Sequence, residues 1–200
     1  MHDDLADDES DARLLAATAA GDEAAFVALY RRRSHDVFRF AYAMGKSRAV
    51  AQDVTQEVFL NVLENAARFD ARKGTARAWL LGCARHSVLD RLRLEARWAG
   101  DVPEQTLDCT GEDRVLTEQR LERLHAAIAM LPVEYREVLV LFELEELSYA
   151  ETAAVLECPV GTVRSRLHRA RASLRAALQS SESDLASERA PLLDPSEVFP

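Results

Sequence analysis

The chain has 200 residues, of which 48% are hydrophobic and 30% are charged. This apolar content is enough to bury at least one core, and it excludes a wholly disordered protein. The formal net charge of −9 arises in the two ends of the sequence, because residues 1–11 carry −6 and residues 179–200 carry −4. The segment between them, 12–178, is left with +1, so the overall acidity does not exclude nucleic acid as a partner.

The lack of a targeting signal and the spacing of the cysteines favour a cytoplasmic protein. The acidic N-terminus lacks the basic and apolar regions of a signal peptide. No apolar run approaches the roughly 18 residues of a membrane span, so no membrane insertion is expected. The three cysteines are widely spaced and form no CxxC pair, which argues against a disulfide framework or a zinc site. We therefore expect a protein of the reducing cytosol with no metal and no cofactor.

The first block of the chain, 11–98, has apolar residues at helical spacing. Between residues 54 and 63 they recur in pairs one helical turn apart, which predicts a helix over 53–63. The same spacing returns before Pro132 and again after Pro159, and the alternating pattern of strands is missing. The sequence therefore predicts an all-α fold.

Composition and charge divide the chain further. Residues 99–113 contain two glycines and a proline without apolar periodicity, which is typical of a flexible linker. Two basic segments, 68–98 and 158–178, each carry +5, and the stretch between them carries −10. We predict two small helical domains joined by that linker, with an acidic disordered tail at 1–10, domains at 11–98 and 114–178, and a second acidic disordered tail at 179–200.

Residues 148–175 have the pattern of a helix-turn-helix. Ser148 and Glu151 form a capping box at the start of a short helix, and Glu157-Cys158 supplies the turn. Pro159 suits the first position of the next helix, where its missing N–H costs nothing. In this arrangement the second, basic helix enters the major groove of DNA.

The second helix has one apolar and one basic side. Val163, Leu167, Ala170 and Leu174 are expected to face inward. The other faces then carry the side chains suited to base edges and phosphates, which are Thr162, Arg164, Ser165, Arg166, His168, Arg169 and Arg171. The alternative is a solvated surface helix, but five arginines without a carboxylate in 158–178 argue against it.

The segment LPVEYREVLVLFELEELSYAETAAVLECPVGTVRSRLHRARASLRAAL, 131–178, resembles the promoter-recognition domain of bacterial sigma factors of the extracytoplasmic-function (ECF) group. The first domain, with DVTQEVFLNVLENAARFD and AWLLGCARHSVLDRLR, is similar to the other sigma domain of that group. Together the matches cover about residues 20–178. The resemblance implies a protein that binds core RNA polymerase, recognises and melts promoters, and directs transcription initiation.

For the first domain, the resemblance implies two binding surfaces. Helix 53–63 would dock on a coiled coil of the polymerase, while Val58 and Val62 are equally well explained as core. Residues 68–98 would capture the minus-ten element as melted single strand, with Trp79 either stacking on bases or packing in the core. The implied polymerase contacts are Asp53, Gln56, Glu57, Phe59 and Leu60; the implied minus-ten contacts are Lys73, Thr75, Arg77, Trp79, Arg85, His86, Asp90, Arg91 and Arg93.

Two positions depart from the family pattern. His86 stands where the family usually has Asn, which leaves the preferred flipped base open. Ala76 stands where an aromatic residue is common, which alters the packing expected of the preceding loop.

For the second domain, the resemblance implies contacts with the duplex minus thirty-five element. Arg164, Ser165, His168 and Arg169 would read base edges, whereas Arg166 and Arg171 would bind phosphates. Arg136 would contact duplex DNA as well.

The resemblance also implies an anti-sigma protein as a partner and an acidic linker lying in the RNA-exit channel of the polymerase. Cys83 and Cys158 are expected to be buried apolar residues rather than redox sensors.

Three alternatives come from the residues themselves. The pairs Asp53/Glu57 and His86/Asp90 have the spacing of metal ligands or an acid–base pair, but no phosphate loop or nucleophile motif accompanies them, and we expect no enzyme. A stand-alone helix-turn-helix regulator would bind duplex operators tightly without polymerase. The tails are either solubilising ends or regulatory segments that shield the basic surfaces or dock on a partner.

Overall fold

A computed structural model describes residues 3–45, 47–98, 121 and 123–188. All regular elements within these ranges are helical, as predicted. A 3₁₀ turn, Ala66–Arg68, follows the third helix, and a π-helical turn, Val140–Leu144, follows the sixth. The helices are α1 (Asp3–Ala19), α2 (Glu23–Gly45), α3 (Arg48–Asn65), α4 (Ala76–Trp98), α5 (123–130), α6 (Val133–Leu139), α7 (Tyr149–Val155) and α8 (Val160–Glu188).

Helices α2, α3 and α4 pack on one another to form the first domain, with α1 lying across them. Ser47 starts α3 because its hydroxyl accepts the Val50 N–H at 3.2 Å. The buried stripes of these helices meet in one core that includes Phe40, Val54 and Leu81. Val58 and Val62 are buried in it as well, which supports the core role for both.

The second domain contains the predicted helix-turn-helix, α7 and α8. Both hydrogen bonds of the Ser148–Glu151 capping box are present at the start of α7. The chain then turns at Glu157, whose φ is +51°, and Cys158 N–H donates to the Ala153 carbonyl at 3.1 Å. This left-handed residue closes α7 and lets α8 begin directly after Pro159.

The acidic N-terminus differs from the predicted disordered tail over 1–10, because α1 begins at Asp3. Asp11 is fully buried and accepts hydrogen bonds from Arg32 and Arg33 of α2. The Asp8 carboxylate accepts the Ala76 N–H at 2.8 Å, where the start of α4 leaves that donor without a helical partner. Composition alone would place these acids in solvent. In the structure they are bound instead by two arginines and a backbone N–H.

The C-terminal boundary also differs from the prediction, since α8 continues from the second domain to Glu188. The predicted linker, 99–113, and the last part of the predicted C-terminal tail, 189–200, lie outside the described residues.

Loss of a core contact in α4 gives a first test of this packing. Leu81→Ala removes a fully buried side chain and should lower the free energy of unfolding by about 2–5 kcal/mol, because a cavity remains. Leu94→Ala, at a site that is 55% exposed on the same helix, is the matched control and should change it little. Urea denaturation followed by circular dichroism measures both; equal effects would contradict this assignment of the core.

The Cys83 thiol gives a second test. Burial raises its pKa to about 11, so at pH 8 only about one thiol in a thousand is the reactive thiolate. Iodoacetamide sufficient to alkylate free glutathione completely should therefore leave Cys83 largely unmodified, as peptide mass spectrometry can show. Rapid alkylation at neutral pH would instead favour a redox-sensing role.

Candidate functional site

The basic side of α8 is exposed in the structure, and its apolar side is buried. Val163, Leu167 and Ala170 are among the most buried residues of the second domain. Ser165 donates its hydroxyl to the Thr162 carbonyl at 3.0 Å, which holds the side chain at the first turn of the helix. The predicted base-reading residues Arg164, Ser165, His168 and Arg169 are all exposed, and Thr162 and Arg166 are half-buried.

Two of the α8 arginines are held by aromatic rings of the same domain. The Arg164 guanidinium lies 5.3 Å from the centre of the Tyr149 ring. Arg171 lies 5.8 Å from the Phe142 ring, and its Nε donates to Glu143 at 2.7 Å. Stacking orders these side chains before any ligand arrives.

Four of the predicted minus-ten residues line the outer side of α4 and its preceding loop. Lys73, His86, Asp90 and Arg93 are exposed, and Arg93 pairs with Asp90 at 2.9 Å. His86 Nδ1 lies 2.8 Å from the Gly82 carbonyl. A carbonyl oxygen only accepts, so Nδ1 carries the proton and Nε2 of the neutral ring is an acceptor.

Trp79 is half-buried, and its ring lies 5.9 Å from that of Phe69 in a tilted contact. This contact supports the packing role over the stacking role that the sequence left open.

Three other predicted minus-ten residues contact the second domain. Thr75 donates to Glu151 at 3.0 Å, and Arg85 Nε donates to Glu137 at 2.7 Å. Arg77 donates through Nη1 to the Glu145 carbonyl at 2.5 Å and through Nη2 to its carboxylate at 2.9 Å. The inner side of α4 and Thr75, at the end of the preceding loop, therefore contact α6, α7 and the turn between them, whereas Lys73 of the same loop is exposed.

Glu145 lies at the centre of this contact. Its side chain is fully buried, and Arg39 of α2 binds both carboxylate oxygens at 2.9 and 2.6 Å. Burial raises the pKa of Glu145, while the hydrogen bonds and charges of Arg39 and Arg77 oppose that shift. In turn, the hydrogen bond to Glu145 raises the pKa of Arg39. Neither Arg39 nor Glu145 was predicted as a site residue. Glu145 is one of many acids in the segment between the two basic segments, and only the net charge of that segment is distinctive in the sequence.

Arg136 is another contact between the domains. Its guanidinium donates to the carbonyl of Met44 at 2.5 Å, to that of Leu131 at 3.2 Å, and to that of Ala129. Burial lowers the pKa of this arginine. The structure thus uses Arg136 to join the end of α2 to the end of α5, which differs from the predicted contact with duplex DNA.

An apolar groove of about 1050 Å³ runs between α2 and α3. Phe59 forms its floor, with its ring 4.8 Å from Tyr30 and 6.3 Å from Phe26. Gln56, Leu60 and Leu63 line it from α3, and Leu60 is 52% exposed. Leu63 and Tyr30 were not predicted as site residues, although Leu63 continues the helical spacing of Gln56 and Leu60.

The predicted polymerase contacts are divided between two faces of α3. Gln56, Phe59 and Leu60 belong to the groove, whereas Asp53 and Glu57 pair with Arg91 of α4. Arg91 Nη1 lies 3.3 Å from the Asp53 carboxylate. The predicted strand-binding Arg91 is thus held by two predicted polymerase contacts.

Within the described part of the chain, no helix has the length and apolar content needed to cross a membrane. The same residues contain no group of three or more His, Cys, Asp or Glu side chains suited to hold a metal ion.

Comparison with known proteins identifies both domains. The family described as "Sigma-70 region 2" matches residues 29–97, and "Sigma-70, region 4" matches residues 121–174. The ECF RNA polymerase sigma factor SigC of Mycobacterium tuberculosis is 40% identical over 174 residues, covering 85% of this chain and 92% of the relative. SigW of Bacillus subtilis is 31% identical over 172 residues, covering 80% and 91%.

Solved structures agree with this assignment. CnrH, in complex with the cytosolic domain of CnrY, has a TM-score of 0.69 at 27% identity, covering 86% of this chain and 98% of that chain. The sigma factor RpoE of Bartonella quintana, in complex with the anti-sigma factor NepR, shares the fold with a TM-score of 0.65 at 23% identity, covering 77% and 96%. The two family matches and the curated relatives support a sigma factor over a stand-alone regulator. The chain belongs to the sigma-70 family and is an ECF sigma factor, which directs RNA polymerase to promoter DNA.

Proposed function

We propose that the two domains bind separate promoter elements through α8 and α4, and that α3 binds the polymerase. The observation that carries this proposal is the division of α8 into a buried apolar side and an exposed basic side. A helix seated in this way by a preceding short helix and tight turn can enter the major groove with its N-terminal half.

The minus thirty-five element is read by the exposed side chains of that half. Arg169 and Arg164 have forked donors that fit the O6 and N7 acceptors of guanine. Arg171 lies further along α8 and is stacked on Phe142 and paired with Glu143. Its position at the edge of the domain suits a phosphate contact, which carries no sequence information.

The minus-ten strand is captured by α4 and the loop before it. The outer side of α4 presents His86 and Arg93, and Lys73 extends from the loop. Because the Gly82 carbonyl fixes the proton on Nδ1, neutral His86 offers an acceptor at Nε2. A flipped base can donate to this acceptor from an N–H on its exposed Watson–Crick edge.

The polymerase docks on α3 and the groove beside it. The groove combines aromatic and aliphatic walls with exposed Leu60 and Leu63, which suits the apolar side of a partner helix. Asp53 and Glu57 on the next face of α3 would meet basic residues of that partner. The engagement of two faces gives a larger contact than the groove alone.

We also propose that the protein acts in the cytoplasm, where polymerase and promoters are found, and has no catalytic chemistry of its own. An anti-sigma protein is a further proposed partner. The support is that the structurally similar RpoE of Bartonella quintana was solved with the anti-sigma factor NepR.

Substitutions on α8 test the division between base reading and phosphate binding. Arg169→Ala should cost roughly 1–3 kcal/mol at one promoter position and relax specificity there. Arg171→Ala should weaken all promoters alike and reduce the salt dependence. Run-off transcription with core polymerase on a randomised promoter library, followed by sequencing of the transcripts, measures both. If the two variants gave the same sequence profile, the proposed division would be wrong.

A charge in the apolar groove tests polymerase docking. Leu60→Asp should weaken binding to core polymerase at least about tenfold, because burial of a leucine contributes roughly 1.5–3 kcal/mol and each 1.4 kcal/mol is a factor of ten. Leu94→Asp is the matched control, since Leu94 is similarly exposed, at 55%, but lies on α4 away from the groove lining. Biolayer interferometry on immobilised core polymerase measures the affinities; equal binding by both variants would contradict docking in the groove.

A further inference from the structure

Two aromatic rings connect two of the arginines on the basic side of α8. We call Phe142 and Tyr149 the aromatic pair, since the centres of their rings lie 4.5 Å apart. The Arg164 guanidinium lies over the Tyr149 ring at 5.3 Å, and the Arg171 guanidinium lies over the Phe142 ring at 5.8 Å. A proposed base-reading arginine and a proposed phosphate-binding arginine are therefore joined through the aromatic pair.

Three separate elements bring these side chains together. Phe142 belongs to the π-helical turn, Tyr149 is the first residue of α7, and both arginines lie on α8. The two rings are half-buried and pack against the hydrophobic core, whereas Arg164 and Arg171 are exposed. The core thus fixes the rings, and the rings restrict where the two guanidinium groups can lie.

The two arginines differ in what their N–H donors bind. Arg171 Nε donates to the Glu143 carboxylate at 2.7 Å, and Nη2 lies 2.5 Å from the same oxygen. Among the residues that the structure describes, none accepts a hydrogen bond from Arg164. A guanidinium over a ring face keeps its five donors in its own plane, where they can still reach a base. Arg164 is thus restrained by a contact that does not use its donors.

Such a restraint affects how sharply an arginine discriminates between bases. Bidentate pairing with O6 and N7 of guanine requires two donors to meet two acceptors at once. A mobile arginine can turn instead to a neighbouring base or a phosphate, so a wrong base costs it less. An arginine that a ring already orients has to leave the ring to make those other contacts. The ring therefore increases the difference between the right base and a wrong one.

We propose that Tyr149 is a positioning residue that determines specificity at one position of the minus thirty-five element, because its ring orients the Arg164 guanidinium. Phe142 supports the Tyr149 ring from the other side. The proposal rests on the assignment of α8 to that element made above. It adds that a residue of α7, outside the recognition helix and not among the predicted site residues, sets the strength of one base preference. The aromatic ring, and not the hydroxyl, is the part required.

The test compares Tyr149→Leu with Tyr149→Phe. Leucine keeps an apolar side chain but has no aromatic face, whereas phenylalanine keeps the ring and loses only the hydroxyl. Run-off transcription by the polymerase holoenzyme on promoters with a randomised minus thirty-five region, followed by sequencing, gives the ratio between preferred and other bases at each position. Tyr149→Leu should lower this ratio about two- to fivefold at one position, as expected for the loss of an exposed cation–π contact. Tyr149→Phe should keep the wild-type ratio.

The base ratio distinguishes positioning from stability. Unfolded protein directs transcription from no promoter, so a smaller folded fraction lowers all transcripts alike and leaves the ratio unchanged. Tyr135→Leu is the matched control, since Tyr135 is also half-buried against the core and no arginine of the described residues lies over its ring. It should change no ratio, and urea denaturation followed by circular dichroism gives the stability of each variant.

A double-mutant cycle tests whether Tyr149 acts through Arg164. In the Arg164→Ala background, Tyr149→Leu should lower the ratio no further, because the arginine that the ring orients has been removed. An equal loss in both backgrounds would overturn the inference, as would an unchanged ratio in Tyr149→Leu alone. A loss shared equally by Tyr149→Leu and Tyr149→Phe would assign the effect to the hydroxyl and overturn it too.

Phe142→Leu tests the second ring. It removes the ring that lies 4.5 Å from Tyr149 and should lower the ratio at the same promoter position, by less than Tyr149→Leu does. An unchanged ratio would contradict the supporting role of Phe142.

Arg164→Ala by itself separates failure of this inference from failure of the proposed function. If α8 reads the minus thirty-five element, this variant loses the preference at one position whatever Tyr149 does. An unchanged profile would count against base reading by Arg164. A changed profile together with a wild-type profile for Tyr149→Leu would count against the positioning role alone.

Discussion

The burial of Glu145 between Arg39 and Arg77 is the interaction on which the arrangement of the two domains depends. A carboxylate with no exposed surface is stable as an ion only when cations and hydrogen bonds replace its water. Both cations come from the first domain, on α2 and α4, so the second domain cannot satisfy its own buried acid. The cost of an unpaired buried charge thereby adds to the coupling of two domains whose buried residues form one hydrophobic cluster.

Local patterns predicted most of the fold. The apolar spacing of α3 and α8 and the capping box at Ser148 are short-range features, and each has the predicted geometry. The contact between Arg39 and Glu145 joins residues 106 positions apart, and no periodicity or motif signals it. The same holds for Asp8 at the start of α4 and for Arg136 at the end of α2, where the sequence specifies a charge but not its partner.

The candidate site shows a similar division. Residues on the outer sides of α8 and α4 could be assigned from helical geometry and family resemblance together, because their neighbours on the same helix define which side is buried. The contacts of Arg91 could not be predicted in this way. Arg91 is one of the predicted minus-ten contacts, yet Asp53 and Glu57 of α3 hold it. One arginine therefore connects the proposed polymerase face to the proposed strand-binding helix.

The π-helical turn Val140–Leu144 determines whether Glu145 can reach Arg39 in the other domain. Glu145 N–H donates to the Val140 carbonyl, five residues back, at 2.9 Å, so this turn contains one residue more than an α-helical turn. Loss of a single residue here would rotate everything that follows by about 100° relative to α6. Glu145 would then point away from Arg39 with every charge still in the sequence. The fit between the domains is therefore sensitive to insertion and deletion as well as to substitution, and two chains with the same charged residues can differ in whether Glu145 reaches Arg39.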